Sequence, residues 1–292
     1  LVTMPCSVVS LSLGTVTGFL AVALIAIAFS TDNWLYVIVN RSQLQTDLIY
    51  QANPSDEFID QYQSNELYFT RTKGLFRVCF PEDIPVGAST YLSPLETHCK
   101  NVEYYIPDDR KLFQNFSNEF QTAVHMSRSV IALIIVSFFF FFLALWTGIA
   151  GCWRRSPGNI TSTAILLLLA GLFTAGGMGL WHGVEYYEQY RFQDNGFYKP
   201  WPVPLKQNTD LYYDWSYYIS WVGVGLTLVS SFLFFGSASC LHNEKHRQLH
   251  KMQYVMPMYS HKQQYNSYNH GYSGNSYPGP YYYGSQYGHY NY

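Results

Sequence analysis

The chain has 292 residues, and Asp, Glu, Lys and Arg make up only 12% of them, roughly half the share of a soluble globular domain. A net charge of −2 leaves no basic footprint for nucleic acid. The mean hydropathy of −0.06 hides the arrangement: four long charge-free stretches are balanced by a polar, tyrosine-rich remainder.

The charge-free stretches are residues 8–29, 129–151, 160–181 and 216–239. About 20 apolar residues of helix cross a hydrocarbon core of roughly 30 Å, and each stretch has that length. None carries the polar stripe of a helix buried in a soluble bundle. The predicted fold is therefore a membrane protein, mainly α, with a four-transmembrane-helix bundle. Residues 1–30 hold the first span and its inner end. Ala26 and Ala28 form an A-x-A pattern that a signal peptidase could accept. The long apolar run and the lack of a basic leader favour a retained span.

Orientation follows from the short loops. Residues 152–159, between the second and third spans, carry Arg154 and Arg155 and no acid. Lys245, Arg247 and Lys251 follow the fourth span. Positive charge marks the cytoplasmic side, so both termini are expected inside. Residues 31–128 then form a long outer loop, 182–215 a shorter one, and 240–292 a cytoplasmic tail.

In the first outer loop, residues 35–39, 67–69, 75–80 and 102–106 are short β-branched and aromatic runs between turn residues, which read as strands. Along the third run Leu75, Arg77 and Cys79 share one face, and Phe76, Val78 and Phe80 the other. Of the five cysteines only Cys79 and Cys99 lie outside. An extracytoplasmic loop is oxidising, so these two are expected to staple a small extracellular β-sheet. Cys6, Cys152 and Cys240 lie at inner membrane edges, where S-palmitoylation is usual. The sequon at Asn115 sits well away from the bilayer and suits a glycan. The sequon at Asn40 is outside but close to the first span, and Asn159 is inside and expected bare.

At these residues the chain resembles the claudin superfamily: claudins, stargazin-like auxiliary subunits of receptors and channels, and long-loop tetraspan relatives. The family signature is a Trp after the first span, then Gly-Leu-Trp-x-x-Cys, then a second Cys. Here Trp34, Gly74, Leu75, Phe76, Cys79 and Cys99 fill those places. Phe76 stands where the signature has Trp. The Cys79–Cys99 spacing and the stretch from Trp34 to Gly74 are longer than in junction-forming claudins, which fits the long-loop and auxiliary branches. Tyr213-Asp214-Trp215-Ser216 at the entry to the fourth span is similar to the aromatic Trp-Ser entry of stargazin-like members. The resemblance implies a non-enzymatic protein that binds other membrane proteins in the same bilayer. An adhesion or cell-junction role is the alternative, and a channel or transporter a more distant one.

No ionisable residue falls in a charge-free stretch, whereas proton relays and voltage sensors need such groups. Phosphate-loop, zinc-protease and nucleophile-elbow motifs are not found. No enzyme activity, cofactor or resident metal is expected. His182 and Glu185 read as an interfacial polar pair. His242, His246 and His250 read as part of a basic juxtamembrane face. Small residues at Gly14 and Gly18, and at Gly171, Ala175, Gly179 and Gly183, suit close helix packing. Trp201 between two prolines offers a rigid outer tip.

From about Met252 the composition turns to Tyr, Gly, Ser, Asn and Gln, with twelve tyrosines between Tyr254 and Tyr292. Such a segment buries too little apolar surface to fold alone. It is expected to be disordered and to bind cytoplasmic adaptors or actin-linked proteins, with Tyr254 and Pro257 as one Tyr-x-x-Pro recognition element.

Overall fold

The computed structural model describes residues 6–50, 60, 62–93, 97–102, 104, 118–186 and 203–266. Four long helices carry the apolar stretches: α1 (Cys6–Ser30), α3 (Asn118–Arg154), α4 (Pro157–Tyr186) and α6 (Trp215–Asn266). Between α1 and α3 lie β1 (Leu35–Val39), α2 (Arg41–Tyr50), β2 (Arg71–Lys73), β3 (Arg77–Phe80), β4 (Tyr91–Leu92) and β5 (His98–Asn101). The short helix α5 (Val203–Gln207) and strand β6 (Thr209–Tyr213) come between α4 and α6. The fold is thus the expected mainly helical bundle with a small sheet.

Segments long and apolar enough to cross a membrane run over Val8–Ser30, Thr122–Arg154, Pro157–Tyr186 and Trp215–Met252. All but the first extend well past the charge-free stretches, because backbone hydrogen bonding does not stop where lipid does. The extension matters most at α6, which continues to Asn266 through residues expected to be disordered. Tyr254 and Pro257 fall on this helix. The chain divides into two compact units, Leu1–His242 and Asn243–Tyr292; the bundle and sheet belong to the first.

The strands form one six-stranded antiparallel sheet in the order β4-β5-β3-β2-β1-β6. Strand β1 is where expected. Residues 67–69, expected as a strand, include the end of a 3₁₀ turn, Glu66–Tyr68, whose capping Asn65 side chain accepts from the Leu67 N–H. That local capping bond satisfies the backbone before a ladder can. The run at 75–80 shortens to β3 because Gly74, Leu75 and Phe76 make the turn from β2, with the Gly74 N–H donating to the Arg77 carbonyl at 2.9 Å. Val102 and Tyr104 are not in a strand, and the rest of 102–106 lies outside the described residues. Strand β6 comes from the second outer loop and pairs with β1 along its whole length, Leu35 opposite Tyr213 and Val39 opposite Thr209.

Three apolar clusters fill the interior. One holds the inner bundle around Phe141, Ala164 and Phe234. A second joins the outer helix ends to the sheet through Trp34, Leu75, Met178 and Trp181. The third lies within the outer domain, around Val37, Leu44, Phe80 and Leu205.

Small residues bring the helices together as their spacing suggested. A Cβ on Gly18 would lie 2.9 Å from the Ser230 hydroxyl of α6, and that hydroxyl donates to the Gly14 carbonyl at 2.7 Å. Ser137 and Thr174 bond across α3 and α4 at 2.7 Å. Gly171 and Gly183 also face neighbouring helices, whereas Gly179 faces open space.

Candidate functional site

The seat of the sheet on the helix ends is built from the residues that carried the family resemblance. Trp34 is fully buried. Its indole N–H donates to the Ala28 carbonyl at 2.8 Å, one of the last-turn carbonyls a helix leaves unpaired. Its ring meets Trp181 edge to face at 5.3 Å, and its own N–H donates to the Lys73 carbonyl at 3.2 Å. One side chain therefore ends α1, starts β1 and packs on α4.

Gly74 lies against the chain leaving α1. A Cβ there would stand 2.5 Å from Asp32 Cα and 3.1 Å from the Thr31 carbonyl oxygen. Both obstacles are backbone, so only glycine fits. Leu75 is buried in the second cluster. Phe76 is 38% exposed and meets Phe29 edge to face at 5.0 Å, a place with open room on its outer side.

Arg77 grips Asp32 with two nitrogens, Nε to Oδ1 at 3.0 Å and Nη2 to Oδ2 at 2.8 Å. Nη2 also donates to the Ser30 carbonyl at 3.3 Å. Burial raises the Asp32 pKa, and the Arg77 charge and hydrogen bonds only partly oppose it. Cys79 lies directly opposite Cys99 in the β3–β5 ladder, and the two form the expected disulfide. Asp32 and these sulfurs lie within 4.8 Å of one another. The sulfurs are bonded to each other and the carboxylate is held by Arg77, so the trio does not constitute a metal ligand set.

A second set of bonds ties α1 to the entry of α6. The Thr31 and Ser216 hydroxyls bond at 2.8 Å, and the Asn33 side-chain amide donates to Asp214 at 2.8 Å. Beside them, His182 Nδ1 and Nε2 bond the Tyr213 and Tyr217 hydroxyls at 2.9 and 2.8 Å. The Tyr213 hydroxyl also donates to Glu185. Burial and this carboxylate push the Tyr213 pKa well above the usual phenol range. His182 and Glu185 thus lie in a tyrosine-bridged polar network. Sequence reading missed the two tyrosines because they come from β6 and α6; the Tyr-Tyr-Asp-Trp-Ser-Tyr run was the available signal.

The sheet exposes an apolar edge. Val86 and Leu92 are 68% and 60% exposed, with Ile84 and Tyr91 nearby in sequence and also exposed. Tyr91 and Leu92 form β4, the terminal strand of the sheet. An unpaired strand edge is a template for another chain.

The remaining candidates are dispersed. Asn40 is exposed at the outer end of β1, where its side-chain oxygen accepts from the Gln43 N–H at 3.1 Å and caps α2. Asn115 and Trp201 lie outside the described residues, as do the side chains of Cys6, Tyr254 and Pro257. Cys152 is an exposed free thiol. Cys240 is held in a disulfide; it has no thiol to acylate, which corrects that expectation.

Among known families, the model described as PMP-22/EMP/MP20/Claudin tight junction matches residues 19–236. No curated protein matches the chain.

Proposed function

The chain belongs to the PMP-22/EMP/MP20/Claudin family, and from that premise we propose that it is a non-enzymatic plasma-membrane subunit that binds another membrane protein in the same bilayer. The observation that carries this reading is the apolar β4 edge on a disulfide-stapled sheet. Single exposed apolar residues need no explanation, but Tyr91 and Leu92 lie on the terminal strand of the sheet, whose unpaired edge is open to another chain. The sheet is seated rigidly on α1 by Trp34, Gly74 and Arg77, so the edge is preorganised for a partner.

In this reading both termini are cytoplasmic, and Asn115 and Asn40 carry glycans. The residues after α6 engage cytoplasmic adaptors or actin-linked proteins. The test is affinity purification of the full chain in mild detergent, alongside Val86→Asp and Leu92→Asp. Co-purification of a membrane partner that both variants lose, with surface delivery intact, supports the reading. Undiminished co-purification contradicts it.

A second reading is a cell-junction component, favoured by the tight-junction description of the matching family model. Immunolocalisation separates the two: a continuous cell-border belt favours the junction, restriction to a partner's sites the subunit.

A further inference from the structure

The ring of Phe29, near the end of α1, approaches that of Phe138, in the middle of α3, to 5.6 Å. Towards the inner end a cavity of about 540 Å³ opens among the helices. Gly14 and Gly18 of α1 and Gly148 of α3 line its narrow parts, Phe141 and Phe234 are in its wall, and Cys152 and Trp153 belong to its lining at the end of α3. The volume is in the usual range for a small-molecule site. The lining lies within the membrane-spanning segments, so its surroundings are hydrocarbon.

Charge identifies the occupant. Arg154 and Arg155 directly follow Trp153, and both are exposed. Arg155 has a positive φ of 47°, which ends α3 abruptly before α4 begins at Pro157. Residues 152–159 hold no acid, and the positive end of the α4 dipole begins at Pro157, two residues after Arg155. Trp153 is 87% exposed, as suits an aromatic ring at the headgroup level. An apolar slot whose lining ends at Cys152 and Trp153, with two arginines next in the chain, matches one molecule in both parts.

We propose that this groove between α1 and α3 holds one acyl chain of an anionic glycerophospholipid, with the phosphate on Arg154 and Arg155. Filling the slot restores packing contacts that an empty one lacks. Basic sites between membrane helices on the cytoplasmic side take such headgroups. The proposal rests on residues 152–159 facing the cytoplasm, where anionic lipid is found.

The experiment uses the full chain in nanodiscs of phosphatidylcholine with a minority of phosphatidylserine, released for native mass spectrometry. We expect one retained phospholipid, with phosphatidylserine enriched over its share by roughly fivefold per arginine. Leu145→Trp should lose it, because Leu145 lines the cavity and is 42% exposed, so a larger ring occupies the slot without breaking the bundle. Arg154→Gln with Arg155→Gln, both exposed and neutral to the fold, should retain a lipid but without headgroup preference. Equal retention of the two lipids by the native chain, or undiminished phosphatidylserine on Leu145→Trp, overturns the proposal. Nanodisc leaflets are identical, so a chain of reversed sidedness would still show the binding. Sidedness is read separately, from the glycan at Asn115.

Discussion

The indole N–H of Trp34 donates to the carbonyl of Ala28 across the turn from α1 into β1. Through this bond the first strand of the sheet closes the end of the first membrane helix. The neighbouring Trp181 makes the opposite case: its ring is buried, and its indole N–H has no hydrogen-bond partner among the described residues. Trp34→Phe should therefore cost about 1–3 kcal/mol, by removing the indole hydrogen bond as well as ring volume, while the Thr31 hydroxyl still donates to the Ala28 carbonyl at 3.2 Å. Trp181→Phe loses volume but also removes an unsatisfied donor, and should cost less. Thermal unfolding of the full chain in detergent checks the order; equal losses would show that the Ala28 bond contributes nothing.

Gly74→Ala should prevent seating of the sheet. The added methyl meets Asp32 and Thr31 backbone, which cannot swing aside as a side chain can. Gly225→Ala, where a Cβ would meet open space, should be neutral. Surface delivery of the two variants in cells is the comparison, and normal delivery of Gly74→Ala would contradict the geometry.

Asp32 and Arg77 should respond to pH with a definite sign. Burial raises the Asp32 pKa despite Arg77, so between its unfolded value near 3.8 and its raised folded value the native state binds more protons. Stability contributed by this group is full below that window and falls as pH rises through it. Arg77→Met removes the opposing charge and raises the pKa further, so its destabilisation should grow from acidic to neutral pH, reaching about 3 kcal/mol for an uncompensated buried carboxylate. Unfolding midpoints across that pH range decide the matter. A loss that shrinks towards neutral pH would reverse the sign.

The Cys79–Cys99 disulfide closes a separation of 20 residues, worth about 3 kcal/mol in the chain-entropy model. Cys79→Ser and Cys99→Ser should each expose strand faces and hold the protein in the endoplasmic reticulum. The double variant should be no worse than either single one, since each already breaks the same bond. Additive defects would show that the cysteines act separately.

Much of this was legible before the structure. The spans followed from charge-free length, β1 from Leu35–Val39, and the staple from the sidedness of Cys79 and Cys99. The reason for Gly74 was not, because it depends on Asp32, forty-two positions earlier in the chain. Strand β6 was missed because its alternation is weak until Leu211 and Tyr213 are set against β1. The length of α6 was missed because composition marks where burial ends, not where a helix does.

The proposal that the β4 edge binds a partner in the same membrane is tested most directly by a photo-reactive residue at Leu92 in intact cells. Isotopically heavy and light cells are grown together, with the probe only in heavy cells. We predict adducts with a membrane protein carrying the heavy label. Adducts that also carry the light label would place the partner on the neighbouring cell, and no adduct at Leu92 would remove the edge as a binding surface.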